Sequence, residues 1–394
     1  MSGREVLVVG AGSAHAQAMM GVAARAEALT RWVAADHSWD ENELGACERL
    51  GVRTVELNPL SEPSRLRELA LDAALVVNCA APYSRTAPTV LDACIEVGCD
   101  YLDACDDVNA TVAMLERDER AQAAGIRALI GMGCAPGITN VLVRTARDWL
   151  GAADEVSLSW TVDVRDVTDA TLRRFWEISA PVGPDGRRGP VPAWEDLELR
   201  TVEFPAPLGE RLVIGLSHPE PITLPRFLGI ETVRSFGGVV PEDSLVIGWA
   251  LARLGASDGE SARLAVNGSE VAVPALASEL YQRYLETRAQ TTHLGGGLVV
   301  DVWSGEEGVR FASAGSTSVD ESTAIGAAAG AMLMLEAGPD EVGVMAPECL
   351  DPVEFFPRLG RFSRGTGALG AYRMWGSEEG VRISIRDLLS TRIH

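Results

Sequence analysis

The sequence predicts an α/β fold, a doubly wound parallel sheet joined to a second, α+β domain. Three observations predict this class. Over the first 132 residues, short apolar segments rich in β-branched residues alternate with segments of helical period. A glycine-rich turn directly follows the first apolar segment, as in nucleotide-binding βαβ units. A chain of 394 residues is also too long for one ordinary core, so two domains are expected.

The first strand, turn and helix have the order that dinucleotide binding requires. The apolar run Val6–Val9 leads into Gly10 and Gly12, and an alanine-rich helix is predicted from Ala14 to Leu29. Gly10 would permit the tight turn, and Gly12 would let a pyrophosphate approach the backbone near the helix start. The next strand ends in Asp36, about 24 residues after Gly12, where a carboxylate can bind the adenosine ribose hydroxyls.

The expected cofactor is NAD or NADP. Asp36 favours NAD because its carboxylate would repel a 2′-phosphate, whereas Arg31 and His37 keep NADP possible. His15 replaces the third glycine of the motif, so its imidazole must point outward or push the helix from the strand. A domain that has kept this shape without binding a nucleotide is the alternative. The predicted cofactor-binding residues are Gly10, Gly12, Ser13, Ala14, Asp36, His37, Ala80, Ala81 and Pro82.

Five further strands are predicted after the first. They are Trp32–Ala35, Val52–Leu57, Ala74–Cys79, Tyr101–Asp103 and Arg127–Ile130, with helices between them. In such a sheet the ligand crevice lies at the carboxyl ends of the strands. The residues expected to gather there are Gly10–Gly12, Asp36, Cys79–Tyr83 and Asp103–Asp106.

Changes in composition predict the domain boundaries. The glycine–proline loop at 133–140 ends the alternating pattern, so residues 1–132, 133–316 and 317–394 are predicted to form three successive segments. Prolines between Pro181 and Pro225 predict loops and edge strands. The apolar stretch Ala324–Leu335 is too short to span a bilayer and predicts a packed core helix, with helical period continuing to Val344.

Composition restricts the class of partner. The chain has 34 Lys and Arg against 56 Asp and Glu, a net charge of −22, and no basic patch, so neither nucleic acid nor a membrane is an expected partner. Its 7 cysteines form no C-x-x-C pair and only 5 histidines are present, so no metal site is predicted. Reduced thiols and the absence of a signal-peptide pattern predict a cytoplasmic protein.

Six motifs occur in a characteristic order along the chain. They are VLVVGAGSA from Val6, VVNCAAPY from Val76, GCDYLDACDD from Gly98, GCAPGITNVL from Gly133, ITLPR from Ile222, and a tail from GAAAGAMLMLEAG to Phe356. In their order and spacing they resemble the saccharopine dehydrogenase (saccharopine reductase) family, which includes carboxynorspermidine dehydrogenase. The resemblance implies a Rossmann domain, an inserted substrate-binding and dimerisation domain, and a C-terminal segment that packs back on the first domain. It also implies a homodimer and oxidoreduction at a carbon–nitrogen bond with NAD or NADP.

Three positions depart from the pattern of that family. His15 replaces a glycine, and Ala135 stands where saccharopine reductases have an aspartate before Pro-Gly. The stretch Thr168–Ile178 also differs from the serine- and glycine-rich substrate loop of the family. These departures leave the predicted fold intact and leave the substrate open.

Acidic and phenolic groups at the predicted strand ends are the candidate catalytic residues. Tyr83 could donate a proton or hydrogen bond, or could simply pack with its hydroxyl in water. Asp103 and Asp106 could orient a substrate amine or act as general base, or could cap the following helix. Cys105 is a weaker candidate nucleophile because no histidine is placed beside it in the sequence.

Arginine is the residue expected to bind the substrate carboxylates, because its planar guanidinium matches two oxygens at once. The predicted substrate-binding residues are Arg226 first, then Arg174 and Arg173 beside Trp176, with surface charge as the alternative role for each. His218 and His293 are candidate proton carriers, although a lone histidine is more often a satisfied core or surface group. Glu348, in the tail motif, is expected to support the sheet.

The leading hypothesis is therefore an NAD(P)-dependent dehydrogenase or reductase that acts on a C–N bond. Its small-molecule substrate would be an imine or secondary amine that joins an amino compound to a 2-oxo acid. Two alternatives remain open: a reductase of a C=C or C=O bond, and a non-redox member of the same fold, either a lyase with bound cofactor or a scaffold.

Overall fold

The structure is a computed structural model of the protein, and it describes most of the chain. The described residues are 5–25, 31–167, 174–175, 178, 180, 192–256, 263–266, 268–287, 293–338, 340–363, 369–376 and 380–390. Within them, strands and helices are numbered below in chain order.

The first sheet contains seven parallel strands in the order β15-β6-β5-β4-β1-β2-β3. Its strands are β1 (Glu5–Val9), β2 (Trp32–Asp36), β3 (Arg53–Glu56), β4 (Ala73–Asn78), β5 (Asp100–Asp103), β6 (Arg127–Leu129) and β15 (Gly343–Met345). All five residues of β2 are buried, as in a strand covered on both faces. The predicted doubly wound parallel sheet is confirmed, and the first six strands lie where the sequence predicts them.

Helices cover both faces of this sheet. The helices that contribute to it are α1 (Ala14–Arg25), α2 (Glu41–Leu50), α3 (Pro63–Asp72), α4 (Tyr83–Val97), α5 (Val108–Leu115), α6 (Asp118–Ala124), α11 (Val319–Ala337) and α12 (Pro352–Phe362). One core cluster joins α1, α11 and α12 to one face, and a second joins α3 to α6 to the other. The alanine-rich helix α11 is the predicted core helix, and its small residues let it pack closely on α1. Within the described part of the chain, no helix has both the length and the apolarity to cross a membrane.

The seventh strand corrects the expectation that helical period continues to Val344. Residues Gly343–Met345 are fully buried and pair in parallel with β6 at the edge of the sheet. Three residues are too few for a period to be read, so only the tertiary pairing identifies this strand.

The second sheet is mixed and contains eight strands in the order β17-β16-β14-β13-β7-β10-β9-β8. Its strands are β7 (Glu155–Asp163), β8 (Leu199–Phe204), β9 (Gly209–Gly215), β10 (Thr232–Val240), β13 (Gly296–Ser304), β14 (Glu307–Gly315), β16 (Gly370–Trp375) and β17 (Val381–Ile383). A separate hairpin pairs β11 (Arg263–Val266) with β12 (Ser269–Ala272). The remaining helices are α7 (Ile138–Leu150), α8 (Glu220–Leu228), α9 (Glu242–Leu251), α10 (Val273–Thr287) and α13 (Ile385–Ser390).

The C-terminal segment divides between the two sheets, which corrects the expectation that residues 317–394 pack wholly on the first domain. Helices α11 and α12 and strand β15 do pack there. Strands β16 and β17 instead extend the second sheet beyond β14. The cause is the free edge of β14, whose backbone N–H and C=O groups need partners.

The proline-rich segment contains one element that its composition does not predict. Strand β8 is an edge strand as expected, whereas β9 lies between β8 and β10. The ITLPR motif lies in helix α8 rather than in a loop. Pro221 occupies the first turn of this helix, where a missing N–H costs nothing. Pro225 lies near its carboxyl end, and Gly229 in the left-handed conformation terminates the helix.

Candidate active site

The carboxyl ends of the parallel strands meet along one edge of the first sheet. Val9 of β1 lies opposite Ala35 of β2 and Asn78 of β4, and Asn78 lies opposite Asp103 of β5. The loops that follow these strands carry the predicted site residues. The predicted site residues therefore lie along one edge of the sheet, as the sequence predicts.

Gly10 makes the turn from β1 into α1 possible. Its φ is +78°, in the left-handed region, and a Cβ at this position would overlap the backbone nitrogen and Cα of Ala80. Only a residue without a side chain lets the β1 turn and the β4 turn lie this close together.

Gly12 lies at the start of α1 beside the carboxylate at the end of β2. Its N–H donates to Oδ2 of Asp36 at 2.9 Å. The other oxygen of Asp36 accepts from the backbone N–H of His37 and lies 2.7 Å from its ring Nδ1. A Cβ on Gly12 would lie 3.0 to 3.1 Å from the carboxyl group of Glu43, whose far end can move. Two carboxyl groups therefore border the surface of Gly12.

These residues fit a dinucleotide. Gly12 presents bare backbone at the amino end of a helix, which is where a pyrophosphate is favoured. Asp36 lies at the end of β2, where it can accept hydrogen bonds from a ribose. His15 points away from the strand, and its Nδ1 lies 3.6 Å from Oδ1 of Asp320 in the first turn of α11. The imidazole of His15 thus points outward, which is one of the two outcomes expected from the sequence, and it does not fill the glycine turn.

Tyr83 follows β4 at the start of α4. Its hydroxyl is buried and has no hydrogen-bond partner among the described residues. Burial raises the pKa of Tyr83 well above its usual value, and the nearby Cys79, Asp103, Cys105 and Asp106 raise it further. The phenol is therefore a neutral donor that a ligand in the crevice could engage.

Asp103 has its hydrogen-bonding capacity filled by the loops around it. Its Oδ1 accepts from the N–H groups of Cys105 and Gly131, and its Oδ2 accepts from the hydroxyl of Tyr101. The side chain is fully buried, and burial raises its pKa to about 6. This geometry favours a loop-positioning role for Asp103, and Asp107 rather than Asp103 or Asp106 caps α5.

Asp106 forms an ion pair with an arginine from the second domain. Nε of Arg174 lies 3.1 Å from Oδ1 of Asp106, and Nη2 lies 3.0 Å from Oδ2 of Asp107. Burial raises the pKa of Asp106, but Arg174 and His218 outweigh it and lower the pKa below its usual value. Asp106 therefore stays ionised, and about a quarter of its side chain remains exposed toward the crevice (26%).

His218 and Glu220 form a second charged pair at the same place. The segment before α8 brings Nδ1 of His218 into contact with Oε2 of Glu220, and both side chains are buried. Burial lowers the pKa of His218, but Glu220 and Asp106 outweigh it and raise the pKa above its usual value. The sequence indicates His218 as a candidate proton carrier, but it does not indicate Glu220 as its partner. The His-x-Glu spacing just before a helix is the signal that could have identified the pair.

A layer of polar groups lies behind this pair. Thr139 and Asn140, at the start of α7, are fully buried, and Asn140 Nδ2 donates to Oε2 of Glu348 at 2.9 Å. Glu348 is expected from the sequence to support the sheet. It instead directs its carboxyl group between α7 and α8, because Pro347–Cys349 forms a 3₁₀ turn after β15.

The other predicted residues lie elsewhere. Arg226 is not brought to the crevice, since its side chain is 44% exposed and its guanidinium pairs with Asp118 of α6. The physical reason is that α8 turns Arg226 away from its amino end, where Glu220 lies. His293 pairs with Asp166 on the exposed side of the second domain. Arg173 and Trp176 lie outside the described residues.

Comparisons with known proteins agree with the geometry of the glycine turn. The profile of the saccharopine dehydrogenase NADP-binding domain matches residues 6–129. Residues 6–129 are therefore similar to the NADP-binding domain of saccharopine dehydrogenases. The resemblance inferred from the motifs is thereby confirmed, and the match covers the turn, Asp36 and the first six strands.

One curated protein matches a short part of the chain. Carboxyaminopropylagmatine dehydrogenase from Synechocystis sp. is 36% identical over 80 residues, which is 19% of this chain and 20% of that protein. The match thus spans about a fifth of the length of that curated relative.

Two solved structures share the fold of nearly the whole chain. Saccharopine dehydrogenase (L-Glu forming) from Saccharomyces cerevisiae has a TM-score of 0.60 at 16% identity, over 94% of this chain and 100% of that chain. Homospermidine synthase from Legionella pneumophila, solved in complex with NAD, has a TM-score of 0.59 at 11% identity, over 94% of this chain and 91% of that one. The arrangement of two sheets is therefore that of the saccharopine dehydrogenase fold.

Proposed function

We propose that the protein is a nicotinamide-dependent oxidoreductase that acts on a C–N bond. Its substrate would be an imine or secondary amine formed from an amino compound and a 2-oxo acid. The observation that carries this proposal is the meeting of two charged pairs, Asp106–Arg174 and His218–Glu220, at the strand ends of a dinucleotide-binding domain.

The charges of the crevice suit a substrate that carries both an amine and a carboxylate. Asp106, Asp107 and Glu220 supply negative charge that favours a protonated amine. Arg174 supplies a guanidinium, the group best matched to a carboxylate, and about a quarter of its side chain is exposed (24%). A neutral carbonyl or alkene substrate would gain little from this arrangement, which is why the C–N reaction is preferred here.

The residues of this chain would bind, orient and move protons. A bound nicotinamide would supply or accept the hydride, which is chemistry that the protein itself lacks. Glu220 holds Nδ1 of His218, so Nε2 is the ring nitrogen that can give a proton to the substrate nitrogen or take one from it. The unpaired hydroxyl of Tyr83 would supply a hydrogen bond to the bound ligand.

The test is an assay of NADH and NADPH oxidation with mixtures of amines and 2-oxo acids, and of the reverse reaction with the corresponding secondary amines. Turnover only with carbonyl or alkene substrates would favour the alternative reductase. Tight binding of the dinucleotide with no turnover in any mixture would favour the non-redox alternative. The expected homodimer stays a prediction, which sedimentation velocity would test.

Replacing Gly12 by alanine should weaken NADH binding about tenfold or more, a loss of about 1.4 kcal/mol in binding free energy. The added Cβ would lie between the backbone and the pyrophosphate. The fold should tolerate it because only the carboxyl end of the Glu43 side chain, which accepts a hydrogen bond from the Asp40 N–H, has to shift. Quenching of tryptophan fluorescence measures the affinity.

The matched control for this change is Gly21→Ala in α1, the helix that follows Gly12. A Cβ there would meet nothing closer than Arg25 Nη1 at 3.9 Å. This variant should bind NADH as the unmodified protein does. Equal affinity in the two variants would argue against a dinucleotide at Gly12.

NADH should bind at least about tenfold more tightly than NADPH. The reason is electrostatic, since a 2′-phosphate would have to lie beside Asp36 and near the carboxyl group of Glu43. Titration with each coenzyme at low salt measures the ratio of the NADPH and NADH dissociation constants. The variant Asp36→Asn should have a smaller ratio. Tighter binding of NADPH would show that His37 or Arg31 determines the preference instead.

A further inference from the structure

A buried carboxyl group from the C-terminal segment reaches the interface between α7 and α8. Glu348 is fully buried, and its Oε2 accepts a hydrogen bond from Nδ2 of Asn140 at 2.9 Å. Its Oε1 is buried and has no hydrogen-bond partner among the residues that the structure describes. A buried carboxylate with one oxygen unpaired is costly, so this group needs either a proton or a compensating charge.

A line of polar contacts connects Glu348 with the histidine of the crevice. Oγ1 of Thr139 lies 3.2 Å from Oδ1 of Asn140 and 3.5 Å from Oε1 of Glu220. The other oxygen of Glu220 contacts Nδ1 of His218. All five side chains are buried. In such a low-dielectric layer, a change of charge at one end is felt at the other.

The groups that face Glu348 do not neutralise it. From α7 it meets Asn140, and the guanidinium of Arg144 donates to its main-chain carbonyl rather than to its carboxyl group. From α8 it meets Thr223 and Glu220, of which the second is itself acidic. The pKa of Glu348 is raised to about 7, because burial, together with the neighbouring Glu220, outweighs the lowering effect of its own backbone N–H, Thr223 and Asn140.

We propose that Glu348 is a positioning residue whose carboxyl proton controls the charge of the His218–Glu220 pair. When Glu348 holds its proton, Glu220 and Asp106 are the carboxylates that stabilise the imidazolium of His218. When Glu348 loses the proton to solvent, the added negative charge makes His218 hold its own proton more tightly. The inference rests on the proposed function and deepens it by naming the residue that controls the protonation state of His218. The coupling between Glu348 and His218 can be measured without any substrate.

The experiment is a pH titration of the histidine ring signals of the whole protein by ¹⁵N NMR. The chain contains only 5 histidines, so His218 can be assigned by its absence in His218→Gln. In the unmodified protein, the His218 signals should show a second inflection near the pKa of Glu348, about 7. In Glu348→Gln this inflection should vanish, and the pKa of His218 should fall by about half a unit or more.

The matched control is Glu354→Gln, a glutamate of α12 whose side chain is 51% exposed. It should leave the His218 titration unchanged. Identical titration of His218 in Glu348→Gln and the unmodified protein would overturn the proposal, whatever the substrate or coenzyme proves to be. The proposed reaction could still fail while this coupling is observed, because the titration involves neither hydride nor substrate.

A second measurement covers the case in which Glu348→Gln perturbs the fold. The folded protein binds the Glu348 proton more tightly than the unfolded chain, so this group reduces stability as the pH rises from about 5 to 7. This loss of stability with rising pH should be absent in Glu348→Gln. In Asn140→Leu, which lacks the hydrogen bond to Glu348, the Glu348 inflection in the His218 titration should move to higher pH. An unchanged fall in stability in Glu348→Gln would overturn the assignment of the proton to Glu348.

Discussion

Replacing Gly10 by alanine should destabilise the protein by about 3 to 5 kcal/mol. Two costs add. The backbone is held at φ +78°, which costs an alanine about 1 to 2 kcal/mol. The new Cβ would also overlap the Ala80 backbone, so β1 and β4 would have to separate at the point where they meet. Urea unfolding measures the free energy directly.

Gly51→Ala is the control that separates these two costs. Gly51 ends α2 with φ +68°, also in the left-handed region, and a Cβ there would meet nothing within 4 Å. This variant should lose only the stability that the left-handed backbone costs an alanine, about 1 to 2 kcal/mol. If the two variants lost equal stability, the close approach of the β1 and β4 turns would not be what requires Gly10.

Replacing His218 by glutamine should lower kcat by about 100-fold or more, the effect typical of removing a general acid or base. Glutamine can still hydrogen bond to Glu220, but it cannot exchange a proton with a substrate nitrogen. The folded structure should therefore survive while turnover is lost. Steady-state rates across pH, together with coenzyme affinity, would separate a loss of chemistry from a loss of binding.

His293→Gln provides the comparison for this prediction. His293 also pairs with an acidic residue, Asp166 at 2.7 Å, but on the exposed side of the second domain, with 40% of its side chain accessible. It should change kcat by less than about twofold. A His218→Gln enzyme with an unchanged kcat would remove His218 from the proposed chemistry.

The first domain could be predicted closely from the sequence because its signals are local. Buried parallel strands are short runs of apolar residues, and the glycine turn lies beside the strand that it serves. The ends of α2 were readable as well, since Asp40 caps its start and Gly51 its end. The sequence did not indicate the break between α5 and α6, where Glu116 and Arg117 interrupt the helical segment.

The site could be predicted only in part because it is assembled from distant segments. Asp106 and Tyr83 follow neighbouring strands, so topology alone places them near each other. Arg174, His218 and Glu348 come from regions 68 to 242 residues further along than Asp106, and no periodicity relates them. The choice of Arg226 over Arg174 failed for the same reason, since only the orientation of α8 shows that Arg226 faces Asp118.

Strand β15 and helix α11 are translated long after the elements of the first sheet on which they pack, and this order affects folding on the ribosome. Strand β6 ends at Leu129, but the residues that pair with it are translated about 200 positions later, roughly 10 to 40 s at ordinary elongation rates. During that interval α1 lacks the helix that covers Met19 and Met20. The nascent first domain should therefore expose an unpaired sheet edge and an apolar surface that is prone to aggregation. The yield of the protein in cells should depend on chaperones that shield such surfaces until translation is complete.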